Sequence, residues 1–142
     1  MKKILSVFLA FALAFVFSAC GSSSAPEESP FPFKMNFGEI LDYNVNDNGT
    51  LIVKAKIKSN LTKEMTIKQN YMNAWEIIQS AEDLSFSKLQ YWAVADMTDG
   101  SESKVIQFTV PESAIDRVRS GSILENGLGD YVEDLWIHPS LK

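Results

Sequence analysis

One cysteine and one histidine occur in these 142 residues, and both scarcities exclude chemistry. A lone Cys20 has no partner within the chain, so no internal disulfide can brace the fold. One imidazole and one thiol fall short of the three or four ligands that zinc sites draw mainly from those residue types. His138 could pair with a serine, but no glycine-flanked nucleophile elbow surrounds any serine, and its place beside Pro139 marks a surface or edge residue. Positive charge is scarce too. The 13 Lys and Arg against 18 Asp and Glu leave a net charge of −5, the wrong sign for a general nucleic-acid binder. Neither a Walker loop nor a dinucleotide fingerprint is present, and no cofactor is expected.

What the chain does have is a distinctive beginning. Lys2 and Lys3 precede Ile4 to Ala19, an apolar run with only Ser6 and Ser18 as polar members. This is the layout of a secretory signal. At about 1.5 Å per helical residue it reaches roughly 24 Å, short of the ~30 Å core that a spanning helix must cross. Phe17-Ser18-Ala19-Cys20 closes the run and resembles a bacterial lipobox, with Phe17 where that family usually carries Leu. The resemblance covers residues 1 to about 22. It implies cleavage before Cys20 and attachment of diacylglycerol to its thiol, so that two or three acyl chains hold the protein at the cell membrane, facing the extracytoplasmic side. A single chain binds a bilayer only marginally, whereas each buried methylene adds about 0.8 kcal/mol. Loss of Lys2 and Lys3, with no acid, takes the net charge to −7.

Three regions follow: 1–19 as cleaved signal, 20–33 as lipidated cysteine and disordered tether, and 34–142 as one domain. The tether reads GSSSAPEESPFP, without apolar periodicity. In the domain, Leu51, Val53, Ala55 and Ile57 alternate with Ile52 and three lysines, the mark of a strand with one wet face. Phe37 to Val45 is its hairpin partner across Asn46-Asp47-Asn48-Gly49. Ile67, Tyr71, Ala74, Trp75 and Ile78 recur at helical spacing from about 63 to 79, with Lys68, Asn73 and Glu76 falling away from that stripe and Asn60 or Thr62 as cap. A second hairpin joins 88–97 to 104–110 through Asp99-Gly100, and Tyr91 to Ala95 reads as a central strand covered on each side. Pro111 opens a shorter helix ending at Gly121, and a last strand falls near 134–138. The order ββαββα(β) predicts an α+β domain: a small antiparallel sheet with helices mostly on one face.

Along YWAVADMTDGSESKVIQFTV the domain resembles small uncharacterised lipoproteins of Gram-positive bacteria and their mobile elements, which implies, as one alternative, a role in excluding a second phage. The chemistry-bearing residues are few. Asn44 to Thr50 imitates the oxygen spacing of a calcium loop, but Asn44 and Ala55 stand where that loop needs an acid and a bidentate Glu. Asp96, Asp99 and Glu102 form the acid cluster that an envelope hydrolase, the rival reading, would use, although paired acids need a cleft. Trp92 and Trp136 are the candidate partner-binding residues, since exposed tryptophans make interface anchors; packing against each other is their structural alternative. The sequence therefore predicts a lipid-anchored module with no catalytic constellation, binding an envelope or surface protein.

Overall fold

A computed structural model describes residues 29–58 and 62–141; the expected signal segment, Cys20 and most of the expected tether lie outside them. Strands β1, Glu39–Val45, and β2, Thr50–Lys56, make the first hairpin. In its turn the Asn46 side chain accepts from the Thr50 N–H at 2.9 Å and Gly49 adopts φ 76°, so the residues that imitate a calcium loop are engaged in reversing the chain. Helix α1, Lys63–Ser80, is capped by Thr62, whose hydroxyl accepts from the Met65 N–H at 3.4 Å. Asn60, the other expected cap, lies outside the described residues. β3, Lys88–Asp96, and β4, Glu102–Val110, form the second hairpin. Helix α2, Glu112–Arg119, begins after Pro111, and a 3₁₀ segment, Glu125–Tyr131, leads to β5, Glu133–Ile137. Among the described residues no helix is long and apolar enough to cross a membrane.

The five strands lie in the order β1-β2-β3-β4-β5, giving an α+β fold. The sheet is mixed, which corrects the expected all-antiparallel arrangement: β2 and β3 pair in parallel, Val53 opposite Tyr91 and Ala55 opposite Ala93. The cause is α1. An 18-residue helix returns the chain to the level where β2 began, so β3 must run the same way, as in any crossover unit.

Burial follows the strand alternation. Leu51, Val53 and Ala55 of β2, Leu89, Tyr91 and Ala93 of β3, and Ile106, Phe108 and Val110 of β4 are each fully buried, and α1 packs on them through Tyr71 against Phe108, ring centroids 5.1 Å apart. Ala114, Ile115 and Val118 of α2 join the same core. On α1 the buried face is rotated by roughly a quarter turn, at 3.6 residues per turn, from the apolar stripe. Asn73, expected to face away, is fully buried with Thr66 and Asn70, while Tyr71 and Trp75 sit at the margin. Hydrogen bonding accounts for the difference. Asn73 donates to the Phe37 carbonyl at 2.7 Å and accepts from the Phe37 N–H at 2.8 Å, and it also donates to the Tyr91 hydroxyl at 3.1 Å. Tyr91 in turn donates to Asn70 Oδ1 at 2.8 Å. Every strong group in this network has a partner, which is what allows polar side chains into a core.

Packing begins earlier than the expected boundary at 34. Phe33 is 2 % exposed and its ring meets that of Tyr43 edge-on at 5.3 Å, with Phe31 stacked beside it. The Lys34 N–H then donates to Ser80 Oγ at 2.7 Å, so residues 31–37 run along α1 as part of the domain. Next comes Gly38 at φ 87°, where a Cβ would collide with the Lys56 carbonyl oxygen; only glycine lets the chain enter β1 this close to β2.

Candidate functional site

The alternate residues of the same strands form the second face of the sheet: Ile52, Lys54 and Lys56 on β2, Gln90 and Trp92 on β3 and Gln107 on β4 are half-exposed, while Val94 and Thr109 among them are buried. Trp92 and Trp136, 44 positions apart in the chain, meet here. Gln107 is the direct neighbour of both, paired with Trp92 across one strand boundary and with Trp136 across the next. Between the indoles stands Lys104, its Nζ 5.2 Å from the Trp92 ring centroid and 5.1 Å from that of Trp136, and it donates to Gln107 Oε1. Each cation–ring contact contributes about 0.5–1 kcal/mol at an exposed site. Trp136 is 41 % exposed and meets the His138 ring edge-on at 6.0 Å. The hydrogen bonds of His138 Nδ1 are confined to Ser140.

Two consequences follow for the expected central strand. β3 is central in the sheet, and on its outward side Val94 is buried as well, while Trp92 is half-exposed with the Lys104 ammonium over its ring. The Trp92 indole N–H is also shielded from solvent with no acceptor among the described residues, a condition that costs roughly 1–3 kcal/mol.

The acid cluster has a different fate. Asp96 ends β3 and Glu102 begins β4 directly opposite, and both bind Lys56, at 2.9 and 3.4 Å. Lys54 lies 3.8 Å from Glu102. The two carboxylates hold the Lys56 ammonium above its ordinary pKa, chiefly through the hydrogen bonds to Asp96 and Glu102. Asp99 stands apart at the tip, accepting from the Ser101 hydroxyl at 2.6 Å and the Ser101 N–H at 2.9 Å; those bonds lower its carboxyl pKa. The geometry thus brings two of the three acids together, around a lysine, and ties the third to its own turn. Among the described residues no three His, Cys, Asp or Glu side chains are placed to hold a metal ion.

A hollow of about 330 Å³ lies elsewhere, between Asn36 to Gly38, Ile57, Lys58 and the start of α1. Asn70 and Asn73 line it; beneath them burial pushes the Tyr91 phenol well above its ordinary pKa, the Asn73 bond opposing only in part. The half-buried Tyr71 phenol is raised as well, by burial first and then by Asp130.

Of the two tryptophans and three acids singled out in the sequence, the tryptophans form one surface. Lys104 and Gln107 were the residues missed, although turn spacing could have found them: a hairpin folded at Asp99-Gly100 puts positions 104 to 107 beside Trp92 and Val94. Cys20 lies outside the described residues. Compared with family models, with curated proteins and with solved structures, the chain matches none.

Proposed function

We propose that this protein is a lipoprotein of the cell membrane, held by acyl chains on Cys20 and facing the extracytoplasmic side, whose domain docks an envelope or surface protein on the face carrying Trp92 and Trp136. In this reading the helices gather mostly on one face in the order ββαββα(β) and leave the other for the partner. One observation carries it: two indoles distant in sequence share one sheet face around a lysine, with Trp136 41 % exposed. Tryptophan is among the side chains most enriched at the energetic centres of interfaces. Anchoring supplies the rest. A spacer of about ten residues after Cys20 has a root-mean-square reach of roughly 20 Å, so the domain would meet partners in a thin layer at high effective concentration.

Cross-linking in living cells followed by capture of the chain tests the docking face. The captured envelope partner should be lost with Trp92→Ala and Trp136→Ala combined, while an Asp96→Asn, Glu102→Gln pair retains it. Retention of that partner by the double tryptophan variant would overturn the reading. The anchor has its own readout in the intact mass of membrane-extracted protein: diacylglycerol on a chain beginning at Cys20 is expected, and a water-soluble product with an unmodified thiol refutes it.

A further inference from the structure

We infer that β5 is a strand-addition site, taking along its outer edge, which pairs with no strand among the described residues, an extended partner segment in which apolar residues alternate with Lys or Arg. This rests on the docking reading above, since Trp136 belongs to both, and it adds the mode of binding and the chemistry of the partner.

The two edges of the sheet differ. At β1 the exposed positions are Glu39, Asp42 and Asn44, all polar, and the register slips between Ile40 and Asp42. Phe31 and Phe33 also pack on Tyr43 from the side. Polar side chains, bulges and covering segments are the usual devices that keep an edge from pairing. β5 has a bulge of its own at its start, where the register against β4 shifts between Gln107 and Thr109 and Asp134 adopts φ 53°. Beyond it, however, the strand exposes Leu135 at 45 % and Trp136 at 41 %, two large apolar side chains in a row.

Register decides what that edge offers. The His138 N–H donates to the Val105 carbonyl at 2.8 Å, with Ile137 opposite Ile106 and Trp136 opposite Gln107. Alternation along an antiparallel pair then turns the Trp136 N–H toward β4 and the Leu135 and Ile137 N–H groups outward. Successive side chains point to opposite faces. An added strand would therefore hydrogen-bond to the outward main-chain groups of Leu135 and Ile137, with the Leu135 and Trp136 side chains on opposite faces of the extended sheet, and on the Trp136 face it would extend the surface of Lys104 and Trp92. Main-chain bonds with alternate side-chain contacts are the basis of strand addition.

Charge selects the occupant. Glu133 and Asp134 open the strand, Asp130 precedes it in the 3₁₀ segment, and β5 itself carries no base. Two nearby cations stack on aromatic rings. The Arg117 guanidinium lies 4.5 Å from the Tyr131 ring centroid with Nη2 3.3 Å from its hydroxyl, and Lys104 stands between the two indoles. A cationic segment complements this edge. A second copy brings the same acids and the same net charge of −5, which opposes self-pairing.

The test uses the full chain in a neutral detergent and four eight-residue probes: alternating Lys and Val, alternating Glu and Val, and the Lys–Val peptide N-methylated either at every lysine or at every valine. The Lys–Val probe should bind, at least tenfold more tightly than Glu–Val at low salt. One of the two methylated forms, the one whose blocked amides face β5, should lose at least tenfold while the other keeps its affinity, and Trp136→Ala should weaken the unmethylated probe. Equal tolerance of both methylation patterns overturns strand addition, and equal affinity for the Lys and Glu probes overturns the charge selection. Failure of every probe, or a concentration-dependent dimer abolished by Leu135→Asp, overturns the proposed occupant. None of these outcomes depends on the cellular capture by the tryptophan face, so loss of the partner in the double tryptophan variant would leave the docking reading standing while strand addition falls.

Discussion

The two faces of this sheet are built from alternate residues of the same strands, yet they obey different rules. On the helix-covered face every position is decided by fit: Leu51, Val53, Ala55, Tyr91 and Phe108 are sealed, and even the polar members there form a closed network. On the other face Lys54, Lys56, Trp92, Lys104, Gln107 and Trp136 are held by ion pairs and cation–ring contacts at the edge of water. Exposed ion pairs of this kind contribute little to stability, so residues on this face are free to serve recognition. The comparison teaches where stability and binding separate, and a few substitutions can break it.

The largest effect is expected within the covered face, at Asn73. Replacement by Ala removes the acceptor of the Phe37 N–H and the donor to both the Phe37 carbonyl and the Tyr91 hydroxyl. Leaving buried groups without partners costs roughly 1–3 kcal/mol each, and partial relaxation brings the expected loss to about 3 kcal/mol. Urea denaturation would register it as a lowered midpoint with an unchanged slope. A midpoint within experimental error of the parent would mean that residues 31–37 are not pinned to α1 through this side chain.

A smaller effect comes from the same network through pH. The Tyr91 phenol is raised above its usual value by burial, so above pH ~10 the unfolded chain releases a proton that the folded chain keeps. The folded state then binds more protons, and stability falls as pH rises, by about 1.4 kcal/mol per pH unit once that window is entered. Below pH ~10 this contribution is constant. Tyr91→Phe should flatten most of the decline, leaving the parts due to Tyr71, whose phenol is raised in the same direction, and to the Lys56 ammonium, which Asp96 and Glu102 also hold above its ordinary value. Denaturation midpoints at pH 9 and pH 11 for both proteins measure the difference, and an equal decline in the two would place the alkaline sensitivity elsewhere.

Much of the covered face was legible in the sequence, because period-two alternation in Leu51 to Ile57 and the Asp99-Gly100 turn are local signals. Three features were not. The parallel pairing of β2 with β3 depends on where α1 deposits the chain, and the strands look alike in either direction. Burial of Thr66, Asn70 and Asn73 contradicts hydrophobic periodicity, since partners distant in sequence, Phe37 and Tyr91, are what make those positions hospitable. Phe31 and Phe33 were hidden by the serine and proline around them, although two phenylalanines so close together are unusual cargo for a tether. On the open face, Trp92 and Trp136 stood out by residue type, and their meeting did not, because β5 carries no strong alternation to fix its register.

The smallest expected effect on stability is also the one that tests the separation of roles most directly. Trp136 is 41 % exposed on an edge strand, and its contacts are Lys104 and the His138 ring. Trp136→Ala should therefore cost less stability than Asn73→Ala, since it loses an exposed cation–ring contact worth about 0.5–1 kcal/mol and the apolar contact of its covered part on an edge strand, whereas truncation of an interface tryptophan commonly costs about 2 kcal/mol or more in binding. A binding loss of about 2 kcal/mol translates into a partner affinity lowered about thirtyfold, since each 1.4 kcal/mol is tenfold, in a protein that still unfolds cooperatively at a midpoint above that of Asn73→Ala. Lys104→Met is the companion variant, because it keeps the aliphatic stem over Trp92 and removes only the charge; it should cost less in binding than Trp136→Ala. If instead Trp136→Ala unfolds the domain as readily as Asn73→Ala does, the second face is as much a core as the first, and the sheet has no side reserved for a partner.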